Sequence, residues 1–298
     1  MIVRSSPNFR DVLFATRGSI LPRILRPLLF MIAVSIAAVL VSHIRPAFLS
    51  GLAAMPFTLV GLSLSIFMSF RNTACYDRWW EGRKLWGQLI IACRSFARQV
   101  SIVEIDDRAP LLEGLCGFAS GLAARLRGND ELAAVARYIE IVGRDTPPNP
   151  TDAALTWIGG RCQQLVAAGT IDSIHYSVLE VQLTALAHVQ GGCERIKTTP
   201  PPFSYSLLLH RTAYAFCLLL PFALAPTLDW WTPLPTFLLS YAFFGLDALG
   251  DELSDPFGTD PNDLPLDAMV RTVEREMLHA CGRTDLLPML VARDFVLL

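Results

Sequence analysis

The apolar positions of this chain gather into long runs without charge. Leu28 to Ile44, Pro46 to Phe70, Thr212 to Leu228 and Trp230 to Leu246 contain no Asp, Glu, Lys or Arg. About 17 to 25 predominantly apolar residues are enough for a helix to cross a bilayer. The pattern predicts four such spans, at about 25–44, 53–71, 206–226 and 231–250. Asp229, Trp230, Trp231, Pro233 and Pro235 separate the last two, a composition that suits a tight hairpin at a membrane interface. The alternative reading, four buried core helices of a soluble protein, needs a much larger polar shell than the rest of the chain offers.

The segment 71–203 has a different texture. It holds 28 of the 52 charged residues and reads as helices throughout, with no useful strand alternation and no internal repeat. Arg71 to about Ile105 lacks proline, which predicts that span two continues as one long helix. Asp106, Asp107 and Pro110 are expected to end it and open a helix over about 110–127. Gly128-Asn129-Asp130 predicts a turn and a cap for a helix over about 130–143. Pro147-Pro148-Asn149-Pro150 reads as a loop, after which Thr151 or Asp152 caps a helix to about Ala168. Asp172 caps another, to about Lys197, before Pro200-Pro201-Pro202. The predicted organisation is an N-terminal segment with spans one and two (1–71), a helical cytosolic region (72–203), spans three and four (204–250) and a C-terminal segment (251–298).

Composition agrees with a membrane protein. Hydrophobic residues make up 52% of the 298-residue chain, charged residues only 17%, and mean hydropathy is +0.41. An average soluble domain carries about 25% charge. A net charge of −2 gives no global case for a nucleic-acid partner. None of the seven cysteines forms a CxxC pair, which excludes zinc-ribbon and thioredoxin-type sites. None falls in a predicted external loop, so no structural disulfide is expected. Arg4, Arg10, Arg17, Arg23 and Arg26 precede span one, and no small-residue cleavage site follows it, so the start is not read as a signal peptide. Arg71, Arg78, Arg83 and Lys84 follow span two, Arg195 and Lys197 precede span three, and the inter-span loops hold only Arg45. The positive-inside rule then places both termini and the helical region in the cytoplasm.

The densest chemistry lies in Phe70-Arg71-Asn72-Thr73-Ala74-Cys75-Tyr76-Asp77-Arg78-Trp79-Trp80-Glu81-Gly82-Arg83-Lys84-Leu85-Trp86-Gly87. Residue by residue, it suits a helix leaving the bilayer. Arg71 and Arg78 match lipid phosphates, and Trp79, Trp80 and Trp86 match an interface. Asp77, Arg78, Glu81 and Arg83 match ion pairs within the chain or with a neighbour. As a whole the run resembles the motif that follows the second transmembrane helix in the bestrophin family, specifically its bacterial branch. Gly192-Cys193-Glu194-Arg195-Ile196 with Thr199-Pro200-Pro201-Pro202-Phe203-Ser204-Tyr205 resembles that family's entry into span three. Glu252-Leu253-Ser254-Asp255-Pro256-Phe257-Gly258-Thr259-Asp260-Pro261-Asn262-Asp263 resembles its segment after span four. The resemblance covers most of the chain and is weakest over about 105–170.

The resemblance implies an all-α membrane protein: four transmembrane helices and a large helical cytosolic region, assembled as a homopentameric channel in the bacterial inner membrane. Its partners would be further copies of itself, membrane lipids and small inorganic ions, with no nucleic acid. By family the pore passes chloride and other anions, and cation selectivity is open in the bacterial branch. Five copies of span two would line a neck. Leu62, Ile66 and Phe70 lie at i, i+4 and i+8, on one helix face just before Arg71. Ordinary helix packing gives the same stripe, and it is the resemblance that assigns it to the neck. A ring of apolar side chains can close a pore by dewetting. Ser63, Ser65 and Ser69 fall on other faces, where small residues permit close helix contact. The family's cytosolic aperture corresponds to about Ser177 to Glu180, where five copies of Glu180 would make an acidic ring. The same glutamate is equally readable as a solvated surface residue.

The acidic segment after span four matches the calcium clasp of calcium-gated relatives, with Asp260 and Asp263 as side-chain ligands and Glu252 and Asp255 at positions that give mainly carbonyls. Calcium takes six to eight oxygens, and Pro261 and Asn262 interrupt the acidic run. The competing reading makes Asp263 the cap of a helix beginning near Pro265. No cofactor is required by the sequence, and Ca2+ is the candidate ion here. Enzyme signatures such as GxSxG, HExxH and a Walker sequence are missing, and His43, His175, His188, His210 and His279 show no metal-ligand spacing. The alternatives are a membrane transporter and a non-conducting membrane sensor or scaffold.

Overall fold

The computed structural model describes residues 1–3, 19–49, 54–140 and 147–298. Arg4, Arg10 and Arg17, part of the first inter-span loop and the end of the predicted 130–143 helix lie outside them. The described residues form helices α1 Leu21–Ile44, α2 Ala54–Gln99, α3 Ile105–Arg127, α4 Glu131–Ala136, α5 Pro150–Ala167, α6 Ser173–Thr198, α7 Phe203–Leu228, α8 Pro233–Ser254 and α9 Leu266–Ala280, plus a single turn at Pro46–Leu49. No strand occurs among them; an isolated bridge pairs Ile2 with Val296. The chain divides into two compact units, one of residues 1–3, 79–199 and 255–298 and the other of residues 4–78 and 200–254.

The first unit is built around α3. Its residues from Leu111 to Leu126 are almost all apolar or small, and 13 of its 23 residues are buried. A helix apolar on every side must sit at a centre. It packs against α5 and α9, and α5 packs against α6. Trp86 and Phe96 from α2, Phe118 from α3 and Phe257 are fully buried in this core. Gly121 lets the elements approach: a Cβ there would lie 2.6 Å from Val135 and 2.9 Å from the Thr151 hydroxyl.

Two helix starts and one helix cap differ from the sequence expectation. α3 begins at Ile105, with Asp106 and Asp107 in its first turn, where acids favour the positive helix end. Pro110 therefore sits inside the helix. It forfeits one bond, to the carbonyl of Asp106, and that residue is exposed and near water. α5 is capped by Asn149, whose side chain accepts from the Asp152 amide, with Pro150 in the first position. Thr151 is engaged elsewhere, donating from its amide and hydroxyl to Glu131. α9 starts after Pro265, so Asp263 is not its cap. Asp130 and Asp172 do cap α4 and α6, and Gly128 closes α3 with a φ of 70°. α4 ends at Ala136, earlier than the predicted 143; Tyr138 beyond it donates its hydroxyl to Glu274 of α9.

The second unit packs α1 against α7 and α8, with Leu28, Met31, Met68, Phe216, Phe243 and Phe244 buried between them and the start of α2. Its outer surfaces are apolar as well. Leu25, Leu29, Phe30, Ile36 and Leu40 of α1 are exposed, as are Leu234, Leu238 and Leu246 of α8. Leu21–Ile44 and Phe203–Trp231 are long and apolar enough to cross a membrane. The turn between α7 and α8 is the expected tight hairpin, with Trp230 and Trp231 exposed and the Asp229 carboxylate 2.7 Å from the His43 ring nitrogen Nε2.

Candidate functional site

α2 carries the candidate site, and its burial follows a single line. Leu64, Met68, Arg71, Cys75, Gly82, Trp86, Leu89, Cys93 and Phe96 are buried, at the 3.6-residue period of one helix edge. Leu62, Ile66 and Phe70 are 61%, 48% and 64% exposed. They therefore do not pack within the protomer, and the ordinary-packing reading of this stripe does not hold for the single chain. Ser63, Ser65 and Ser69 are exposed too, the Ser65 hydroxyl donating to the Gly61 carbonyl at 2.8 Å.

Immediately after this stripe the helix buries a charge. Arg71 is 3% exposed, so it does not reach for solvent or lipid phosphate as its position at a helix exit suggests. It donates from Nη1 to Asp247 at 2.8 Å and from Nη2 to Asp251, both on α8. The second oxygen of Asp247 meets His210 Nδ1 of α7 at 2.5 Å. A buried ion is tolerated only when paired and hydrogen-bonded, and here two carboxylates meet one guanidinium while an imidazole meets one of those carboxylates. Gly250 makes room: a Cβ there would stand 2.5 Å from the Asn72 side-chain oxygen and 3.1 Å from Arg71 Nη1. In the sequence, Arg71, His210 and Asp247 share only their placement near the same predicted end of different spans.

The rest of the motif belongs to the other unit, where the three family-like stretches meet. Gly82 faces Phe257, and a Cβ on this glycine would stand 3.0 Å from that ring. A Cβ on Gly192 would lie 2.8 Å from the Leu85 side chain. Glu81 pairs with Arg195, Lys197 with Asp255, and the Trp79 indole donates to the Asn262 carbonyl at 2.9 Å. Segments as far as 183 residues apart are thus held together by glycine contacts, ion pairs and an indole bond.

The remaining candidates are placed as follows. Ser177 and Glu180 are exposed on α6. Ser177 donates to the Ile174 carbonyl, and Glu180 lines a groove of about 450 Å3 beside α5 with Tyr176 and Leu183. Ile174, Val178 and Val181 expose an apolar stripe on the same helix that the sequence pattern did not announce. Among the four acids, Glu252 bonds Arg23 at 3.1 Å and Asp255 bonds Lys197 at 2.6 Å. Asp263 is 3% exposed and accepts from the Asp260 amide at 2.7 Å, closing its own loop. Among the described residues no group of three or more His, Cys, Asp or Glu comes together at metal-binding spacing.

The bacterial/fungal bestrophin family matches residues 1–279. The chain belongs to that family. A voltage-dependent anion channel-forming protein of Mesorhizobium japonicum is 44% identical over 288 residues, covering 95% of this chain and 93% of that one. The Escherichia coli protein YneE, of the same description, is 38% identical over 289 residues, covering 94% and 93%. The crystal structure of a bacterial bestrophin homologue from Klebsiella pneumoniae superposes with a TM-score of 0.83 at 40% identity, over 87% of this chain and 99% of that chain. The all-α fold is therefore that of a bacterial bestrophin, and a membrane location follows for this bestrophin chain.

Proposed function

We propose that this bestrophin is an anion channel that assembles as a homopentamer, with α2 of each subunit lining an axial pore. One observation carries the reading: Leu62, Ile66 and Phe70 form an exposed apolar stripe on a helix whose opposite edge is buried. Apolar surface of that extent calls for lipid or another protein surface to cover it. A fivefold arrangement would turn the stripe inward as three stacked rings. The relatives named as anion channel-forming proteins support the ion class. An apolar ring favours neither sign of charge, so selectivity would be set elsewhere, and the first turns of α6, with Ser177 and Glu180, form the candidate cytosolic aperture. The positive-inside pattern supports cytoplasmic termini in the inner membrane. Relatives named as channel-forming proteins support a conducting role over an enzymatic one.

Electron microscopy of the purified protein together with planar-bilayer recording under asymmetric KCl tests this reading. A fivefold particle with an axial opening and a reversal potential near the chloride equilibrium value is expected. A monomeric or dimeric particle that passes no discrete current contradicts it; a reversal potential near the potassium value overturns the anion assignment.

A further inference from the structure

Residue pattern alone matched Arg71 and Arg78 to lipid phosphates. In the structure Arg71 is buried on Asp247 and Asp251, and Arg78 Nε donates to the Ser254 carbonyl at 3.1 Å. Two other arginines of the second unit, Arg26 of α1 and Arg211 of α7, are exposed and hold no ion pair among the described residues. Both point away from the protein interior. Arg26 follows the buried Ile24 by two residues and Arg211 precedes the buried Ala213 by two, so each lies about 200° around its helix from a core position. The apolar residues beside them are exposed as well: Leu25, Leu29 and Phe30 on α1, and Leu208 on α7.

The two arginines stand at one depth. α1 and α7 pack together and run in the same direction. At one end Arg23 of α1 bonds Glu252 of α8, and His210 of α7 bonds Asp247 of α8. At the other end His43 of α1 meets Asp229, which directly follows α7. Arg26 is 17 residues before His43, and Arg211 is 18 residues before Asp229. At 1.5 Å per residue both lie about 26 Å from the His43–Asp229 end, close to the roughly 30 Å thickness of a bilayer's hydrocarbon. The acids near that depth are engaged by other cations: Asp247 by Arg71 and His210, Asp251 by Arg71, and Glu252 by Arg23. Asp77 lies six residues past Arg71 on α2, about 9 Å farther along that helix.

We propose that Arg26 and Arg211 form a belt that binds the headgroups of anionic phospholipids at the Arg71 end of the second unit. A guanidinium takes two phosphate oxygens on its planar fork. The exposed leucines and Phe30 then lie along the acyl chains. An anionic headgroup balances the charge that these arginines leave open, which a zwitterionic headgroup does not. With the cytoplasmic termini read above, the belt faces the anionic leaflet of the inner membrane. The proposal shares that orientation with the channel reading, and lipid binding is measured without any current.

Native mass spectrometry of the purified full-length protein in detergent tests this, with phosphatidylglycerol and phosphatidylcholine of the same acyl chains titrated in parallel. The wild type should bind phosphatidylglycerol at least about threefold more tightly. Arg26→Gln with Arg211→Gln should abolish that preference while leaving phosphatidylcholine binding, the assembly state and the unfolding temperature in lipid-free detergent unchanged. Arg45→Gln, which removes an exposed arginine at the opposite end, should keep the preference. Each single variant should lose part of it. Equal binding of the two lipids by the wild type overturns the proposal, as does a double variant that keeps the preference. An equal loss in Arg45→Gln overturns the assignment to this belt. A double variant that dissociates in lipid-free detergent would mean that the arginines meet a second copy of the chain instead.

Discussion

Arg71 shows how one residue can make α2 depend on α8. Its guanidinium and the Asp247 carboxylate are 3% and 6% exposed, so neither charge is well solvated alone. Removing one partner of a buried pair leaves the other uncompensated and costs about 3–5 kcal/mol. Arg71→Met should lower the stability of the purified protein by that order in a chemical unfolding curve. The double change Arg71→Met with Asp247→Leu should cost less than the sum of the single changes, because the two share one interaction. Additive costs would mean that the pair is not coupled. The buried thiols make a second prediction at this scale. Burial pushes Cys93 and Cys193 from 9.0 up to about 12. The folded state therefore holds protons that the unfolded chain releases above about pH 9. Stability from these groups is complete below about pH 9 and is lost as the pH rises toward about 12. Unfolding midpoints measured from about pH 8 to 11 should fall. At about pH 8 a thiol reagent should label the half-buried Cys281 before Cys93 or Cys193.

At the scale of the elements, close packing of α3 is set by glycine. Gly121→Ala places a methyl group 2.6 Å from Val135 and should cost about 1–3 kcal/mol, the usual penalty of overpacking. Gly160→Ala on α5 meets nothing within 4 Å and should be neutral or stabilise by up to about 1 kcal/mol through helix propensity. Thermal unfolding of both variants checks the opposed signs, and a destabilised Gly160→Ala protein would contradict the packing described for α5. Elements are legible in the sequence where the signal is local. Asp130, Asp172 and Gly128 act within three or four residues of themselves, and their roles can be read directly. The start of α5 differs from its expected place because Thr151 has a distant partner, Glu131, that removes it from capping duty. Arg71 lies 176 residues from Asp247, and no local pattern announces such a pair. The apolar stripe at Leu62, Ile66 and Phe70 is visible as a period, but only the structure shows it to be exposed. The stripe at Ile174, Val178 and Val181 is masked in the sequence by the polar Ser177 and Glu180 interleaved with it. Its exposure, too, is a property of the fold rather than of the period.

At the scale of the whole molecule, the second unit exposes apolar side chains on α1, α2 and α8. In the proposed membrane assembly the exposed faces of α1 and α8 would meet lipid. In the proposed pentamer the α2 stripe has a different role, as the wall of a narrow neck formed by five subunits. Ions passing such rings shed water without polar replacement, so the barrier depends steeply on radius and wetting. The most direct measurement is the single-channel conductance of Ile66→Ala beside the wild type in the same bilayers, with assembly checked on the same preparations. Ile66 is 48% exposed in the protomer, so shortening it should leave folding and assembly intact. A pore-lining Ile66 predicts an Ile66→Ala channel of normal assembly and higher conductance. A normally assembled Ile66→Ala protein that conducts no better than the wild type would contradict it.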